Sequence, residues 1–245
     1  ELFQFALITL IDTFQMEFEK GFFLNVKSDI PIGCGMGSSA ATLISFIKAI
    51  AGFFGIDAKG DWLLKLCTEV ERLQHGHSSG VDAHISINGG LCRFQQGTAT
   101  SLPVDQKPLF LVNTGRPKST TGQAVMAVKN TFENSSIWQD FEQVTLLLEK
   151  ALSKQDYELF DKQIAENHRL LVKLGVVPEK VSAFISEVER LGKSAKICGA
   201  GAICGNTAGI VLVSGAVNID ALCKRYDFTP LKVAPQSTGA HVIHS

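Results

Sequence analysis

The chain has 245 residues, 45% of them apolar and 8% aromatic, which excludes intrinsic disorder and leaves room for one large domain or two small ones. Twenty-three Lys and Arg against 24 Asp and Glu give a formal charge of −1, so a general basic surface for nucleic acid is excluded. The six cysteines, Cys34, Cys67, Cys92, Cys198, Cys204 and Cys223, form no C-x-x-C pair, which argues against a disulfide scaffold or zinc ribbon and fits a reducing, cytoplasmic setting.

Residues 2–16 read as a helix, with no basic start of a signal peptide and no membrane-length apolar run. Residues 21–28 (GFFLNVKS) read as a strand. A glycine-rich turn follows, then an apolar helix over 38–54 and a second over 61–73 with Asp61 as its N-cap. Short strands are expected at 91–94 and 109–113. Residues 119–191 carry helical spacing almost throughout, the last amphipathic face opening near Pro178. Strands at 195–197 and 209–213, a helix at 219–226 and a strand at 231–234 complete the pattern. Strands and helices in blocks, without regular βαβ alternation, predict an α+β fold. A boundary near 114–118 divides it into domains of residues 1–115 and 116–245.

Three segments carry chemistry. Pro31-Ile32-Gly33-Cys34-Gly35-Met36-Gly37-Ser38-Ser39-Ala40-Ala41 lies between a predicted strand and a helix. Alternate glycines permit positive φ and close backbone approach, and the helix N-terminus behind them favours an anion such as phosphate. Ser38 and Ser39 add hydroxyls. The loop is not a Walker A motif, since no Lys follows the glycines, and its G-x-G-x-G spacing is not the dinucleotide fingerprint. The plain alternative is a tight turn before a small-residue helix. Cys34, next to these amide dipoles, is expected to be a reactive thiol if its sulfur is accessible.

The second segment runs from Glu71 to Asp82 through His75-Gly76-His77-Ser78-Ser79-Gly80. Two carboxylates here suit a Mg²⁺ ligand and an acceptor for a substrate hydroxyl; the plain alternative makes Asp82 a helix cap. His75 and His77 are two residues apart, which is not a helical metal-ligand pair. The third segment, Cys198-Gly199-Ala200-Gly201-Ala202, is a second glycine turn leaving a strand.

The order of these segments resembles the GHMP small-molecule kinases. Pro31–Ala41 is similar to the family's P-x-G-x-G-L-G-S-S-A motif with Met36 for leucine, and Gly199-Ala200-Gly201 resembles the start of its late glycine motif. His75–Asp82 is most similar to the mevalonate kinase branch, H-G-x-P-S-G-x-D, with Ser78 for proline. Val112–Gly115 and the spacing of Thr121 and Val125 resemble that branch too.

The resemblance implies a two-domain α+β fold with ATP and substrate between the domains. Gly33, Gly35, Gly37, Ser38, Ser39, Gly199, Ala200 and Gly201 would bind ATP. Ser39 and Glu71 would hold Mg²⁺, Asp82 would be the catalytic acid or base, and Thr121 would lie near substrate. It implies transfer to the primary hydroxyl of mevalonate or a similar alcohol. The alternatives are a sugar, homoserine or phosphomevalonate kinase, or a catalytically silent regulatory protein of the same fold. The partners expected are a small-molecule substrate, no nucleic acid and no membrane, with a homodimer as a candidate assembly. The family's earlier P-G-x-x-x-x-x-G-E-H motif and its lysine have no counterpart in residues 1–30, where Lys20 and Lys27 stand in other contexts. The expectation is that part of the N-terminal domain lies outside this sequence, or that the lysine has been lost.

Overall fold

The computed structural model describes residues 2–18, 21–75, 78–103, 108–215, 218–233 and 236–243. It forms two compact units, one of Glu1–Ile30, Gly37–Ser101 and Pro235–Ser245, the other of Pro31–Met36 and Leu102–Ala234.

The first unit is mostly helical. It contains α1 (Leu2–Phe14), α2 (Ser38–Phe53), α3 (Asp61–His75), α4 (Val81–Asn88) and the β1–β2 hairpin (Leu91–Gln95, Thr98–Leu102). Its core joins Ala6 and Leu10 of α1 to Leu43, Ile44 and Ile47 of α2 and to Leu63 and Val70 of α3. Each of the leucines, isoleucines and valines, fully buried, contributes roughly 1.5–3 kcal/mol. Asp61 is the first residue of α3 rather than its cap. The chain's last segment returns to this unit. Gly90 donates its N–H to the Gln236 carbonyl (2.8 Å) and Ala240 to that of Ser86 (2.8 Å), so the tail is bonded beside the C-terminal end of α4.

One sequence expectation fails here. Residues 21–28 form no strand; they are exposed, with Phe23 wholly in solvent. The β-rich composition is present, but no ladder partner exists among the described residues, and an extended segment becomes a strand only when paired.

The second unit holds a four-stranded antiparallel sheet in the order β4-β5-β3-β6, from Ser194–Ile197, Ile210–Ser214, Leu109–Asn113 and Thr229–Leu231. Its helices are α5 (Thr121–Phe132), α6 (Ile137–Lys154), α7 (Tyr157–Lys173), α8 (Glu179–Arg190) and α9 (Asp220–Tyr226). Strand alternation sorts them onto two faces. Val211 and Val213 of β5 pack with Val181, Phe184 and Ile185 of α8 and with Leu222 and Cys223 of α9. Leu212 packs with Phe160 and Ile164 of α7 and Ala151 of α6.

Two boundaries differ from those expected. The last strand ends at Leu231 instead of spanning 231–234, because the pairing with β3 runs over Thr229–Leu231; Ala234 lies outside the described residues. Strand β3 lies before the expected division near 115, yet it pairs with β5 and β6 and so joins the second unit.

Candidate active site

The chain passes between the units within the glycine loop, Pro31–Met36 belonging to the second and Gly37 onward to the first. Gly33, Gly35 and Gly37 have φ of 70°, 83° and 64°, a left-handed conformation at alternate positions that only glycine adopts at little cost. No hydrogen bond from their N–H groups is found among the described residues. This is a backbone concavity that can receive an anion.

Within the second unit the two glycine motifs meet. A methyl group built on Gly35 would lie 2.9 Å from the Cys198 carbonyl oxygen, and one on Gly199 would lie 2.9 Å from Gly35 Cα. Gly201 is set just as tightly against Val176, whose carbonyl accepts the Ala202 N–H at 2.9 Å. Ser119 Oγ accepts the Ile203 N–H (3.1 Å), tying the approach to α5 to the turn beyond Gly201. The condition set on Cys34, an accessible sulfur, is not met. Its side chain is buried and its thiol contacts the Ile32 carbonyl at 3.6 Å. Burial raises its pKa, and the nearby Arg116 charge only partly opposes this. Desolvation therefore prevails over the amide dipoles, and the thiol stays protonated at neutral pH.

Within the first unit, Gly37 is the N-cap of α2 and offers no side-chain cap. The first intrahelical bond runs from the Ala41 N–H to the Gly37 carbonyl (3.0 Å), so the N–H groups of Ser38, Ser39 and Ala40 remain at the open, positive end of the helix. Ser38 and Ser39 are half-buried.

Asp82 stands beside this helix start. A methyl group on Gly37 would meet the Asp82 carboxyl carbon at 3.3 Å and its Oδ1 at 3.4 Å. Asp82 is the second residue of α4; the N-cap is Gly80, at φ 83°, which has no side chain to cap with, and Ser79 Oγ accepts the N–H of the first residue, Val81, at 3.3 Å. The cap reading of Asp82 is thus not what the structure shows. The residue retains solvent exposure, yet the protein around its carboxyl group raises the pKa by desolvation.

Glu71, on α3, is buried and accepts a hydrogen bond from Ser78 Oγ at 2.9 Å. The same oxygen accepts the Gly80 N–H at 3.2 Å. Ser78, which the motif comparison marks only as a departure, therefore links Glu71 to the turn that launches Asp82. Gly76 and His77 lie outside the described residues, as does the side chain of His75.

Thr121 is the exposed first residue of α5. Its neighbour Thr120 is the cap: Thr120 Oγ1 accepts the Gln123 N–H (3.2 Å), and Gln123 Oε1 accepts the Thr120 N–H (2.9 Å). The T-x-x-Q spacing is the sequence signal that could have found it.

Among the described residues no group of three or more His, Cys, Asp or Glu side chains could hold a metal by itself. What this unit offers is hard oxygen: the carboxyls of Glu71 and Asp82 and the hydroxyls of Ser38 and Ser39. That set fits Mg²⁺, which takes one or two protein carboxylates and completes its shell from phosphate and water; it does not fit zinc.

Residues 2–90 match the family model described as "GHMP kinases N terminal domain", and residues 148–205 match "GHMP kinases C terminal". A mevalonate kinase of Thermococcus sibiricus is 34% identical over 197 residues, covering 76% of this chain and 59% of that protein. One of Methanocaldococcus jannaschii is 29% identical over 215 residues, covering 85% and 67%. The chain thus spans under two thirds of the length of several of these relatives, such as the first. The crystal structure of a Methanococcus jannaschii mevalonate kinase superimposes with a TM-score of 0.83 at 25% identity, covering 94% of this chain and 73% of that one. Another mevalonate kinase structure gives 0.79 at 26% identity, with 94% and 74% covered.

Proposed function

The chain belongs to the GHMP kinases, and from that premise we propose that it transfers the terminal phosphoryl group of ATP to the primary hydroxyl of mevalonate. The observation that carries the reading is the Asp82 carboxyl packed against Gly37 at the open N-terminus of α2. It supports a role for Asp82 as proton acceptor next to a backbone that would bind phosphate. The mevalonate kinases of similar sequence support the choice of acceptor.

In this reading the loop of Gly33, Gly35 and Gly37 receives the phosphate chain on backbone N–H groups. The α2 N-terminus at Ser38 and Ser39 holds negative charge there, an effect worth ~0.5–2 kcal/mol at a partly buried site. Within the second unit, Gly199, Ala200 and Gly201 would bind the same nucleotide, and Gly199 lies against Gly35 of the loop. Ser39 and Glu71 would hold Mg²⁺, whose chemistry is to neutralise charge on the phosphate oxygens. The hydroxyl oxygen forms its bond to the γ-phosphorus as the bond to ADP breaks, and Asp82 takes the hydroxyl proton. Its raised pKa makes Asp82 a better proton acceptor than an ordinary aspartate. Thr121, at the start of α5, is proposed to contact the acceptor.

The test is ADP release by the purified protein with Mg-ATP and each of mevalonate, galactose, homoserine and phosphomevalonate. The reading expects mevalonate to give the highest kcat/KM. Faster turnover of another acceptor would remove the mevalonate assignment, and turnover of none would favour a silent binding protein.

A further inference from the structure

No lysine follows the glycines of the loop, and Lys48 lies well inside α2. The second unit places a different cation on this loop. Arg116 follows β3, and its backbone is stitched to the turn that leads into β5. Thr114 Oγ1 donates to the Gly209 carbonyl (2.8 Å) and accepts the Ala208 N–H (2.9 Å). Gly209 donates its N–H to the Gly115 carbonyl (3.1 Å), and Thr207 Oγ1 donates to the Arg116 carbonyl (2.8 Å). The glycine loop hangs from the same turn, because the Ile210 N–H donates to the Cys34 carbonyl at 3.0 Å. One turn, Thr207–Ile210, thus fixes both arms.

Across the gap, a methyl group built on Gly33 would lie 3.2 Å from Arg116 Nε and 3.8 Å from its Cδ and Cγ. The arginine stem rests on the loop where a side chain would displace it. The residue is exposed, and among the described residues Arg116 has no ion pair or side-chain hydrogen bond. A guanidinium held for structure usually faces a carboxylate; this one is presented unpaired beside free backbone N–H groups. Its charge is felt within the loop, where it opposes the rise of the Cys34 thiol. The planar fork of arginine matches phosphate oxygens in two-point geometry.

We infer that Arg116 grips the phosphate chain of a nucleotide seated on Gly33–Gly35, supplying the positive charge that the loop itself lacks. This rests on the kinase reading above.

The experiment titrates wild type, Arg116→Met and Arg116→Lys with Mg-ATP by calorimetry, displaces bound ATP with inorganic tripolyphosphate, and records Tm. Met keeps the stem and removes the charge; Lys keeps the charge. Arg116→Met should weaken ATP binding about ten- to hundred-fold, the scale of charge-assisted hydrogen bonds, with Tm unchanged. Arg116→Lys, which keeps the charge and loses the two-point fork, should recover part of the affinity. Tripolyphosphate should compete in wild type and much less in Arg116→Met. Unchanged ATP affinity in Arg116→Met overturns the inference and leaves the kinase reading intact. Equal losses in Met and Lys overturn it too, since the charge would then not matter. Wild type that binds no ATP defeats the kinase reading itself.

Discussion

Asp82 is shaped by two glycines, Gly80 before it in the chain and Gly37 against it in space. Because Gly80 supplies the left-handed N-cap, the carboxylate is released from capping. Because position 37 has no side chain, the carboxylate can lie against the helix start. Gly37→Ala should therefore crowd Asp82 and strain a residue at φ 64°. The expected cost is about 1–2 kcal/mol of stability, with a larger proportional loss of kcat; a variant with normal turnover would show that the contact is incidental. Desolvation raises the Asp82 pKa, and a proton acceptor works only when ionised. Activity should thus fall with decreasing pH along a limb displaced above the ordinary carboxylate range of about 3.9, and Asp82→Glu should move that limb. A kcat/KM profile flat down to that value would contradict the assignment.

At the scale of elements, α7 carries a buried polar residue with a measurable consequence. His168 is buried, its Nδ1 has no partner among the described residues, and burial, aided by Arg169, lowers its pKa to about 4. An unfolded histidine titrates near 6.5, so the unfolded chain binds the proton more readily. The neutral ring's contribution is complete above about pH 6.5 and is lost as pH falls toward 4. Thermal melts across that window should show a smaller acid loss in His168→Gln than in wild type; parallel curves would exclude this role. Helix α5 offers a simpler case. Thr120→Ala removes the capping box and should cost about 1 kcal/mol, read as a lower Tm.

Much at this scale was legible in advance. The helices over 119–191, the helix behind the glycine loop and strands β3–β5 follow from apolar spacing, since their faces are buried as the periodicity demands. Residues 21–28 form no strand despite their composition, because composition reports a preference for pairing, not a partner. The pairing of Gly35 with Gly199 and the perch of Arg116 on Gly33 join positions some 160 and 80 residues apart, and no local pattern encodes such contacts. Ser78 shows the same limit: as a motif departure it looks like a defect, and only in space does it become the donor that ties down Glu71.

For the molecule as a whole, the connectivity matters as much as the fold. The glycine loop is one of the places where the chain passes from one unit to the other, and the C-terminal segment returns to bond with α4 of the first. The loop's second-unit half is fixed by backbone packing, so Gly35→Ala should act chiefly on stability: its Cβ would press on the Cys198 carbonyl at 2.9 Å. Its loss of nucleotide binding should come with a lower Tm, unlike the losses expected at Arg116.

If Asp82 performs chemistry beside a loop that binds phosphate, Asp82→Asn is the variant that will show it. Asparagine keeps the shape and removes the proton acceptor. Turnover with Mg-ATP and mevalonate, Mg-ATP affinity and Tm should be measured on the same preparation. The expected result is a fall in kcat of ~10²-fold or more, nucleotide affinity close to wild type, and a Tm that does not drop, since the ionised carboxyl is disfavoured by its surroundings. An Asp82→Asn protein that turns over at the wild-type rate would contradict it.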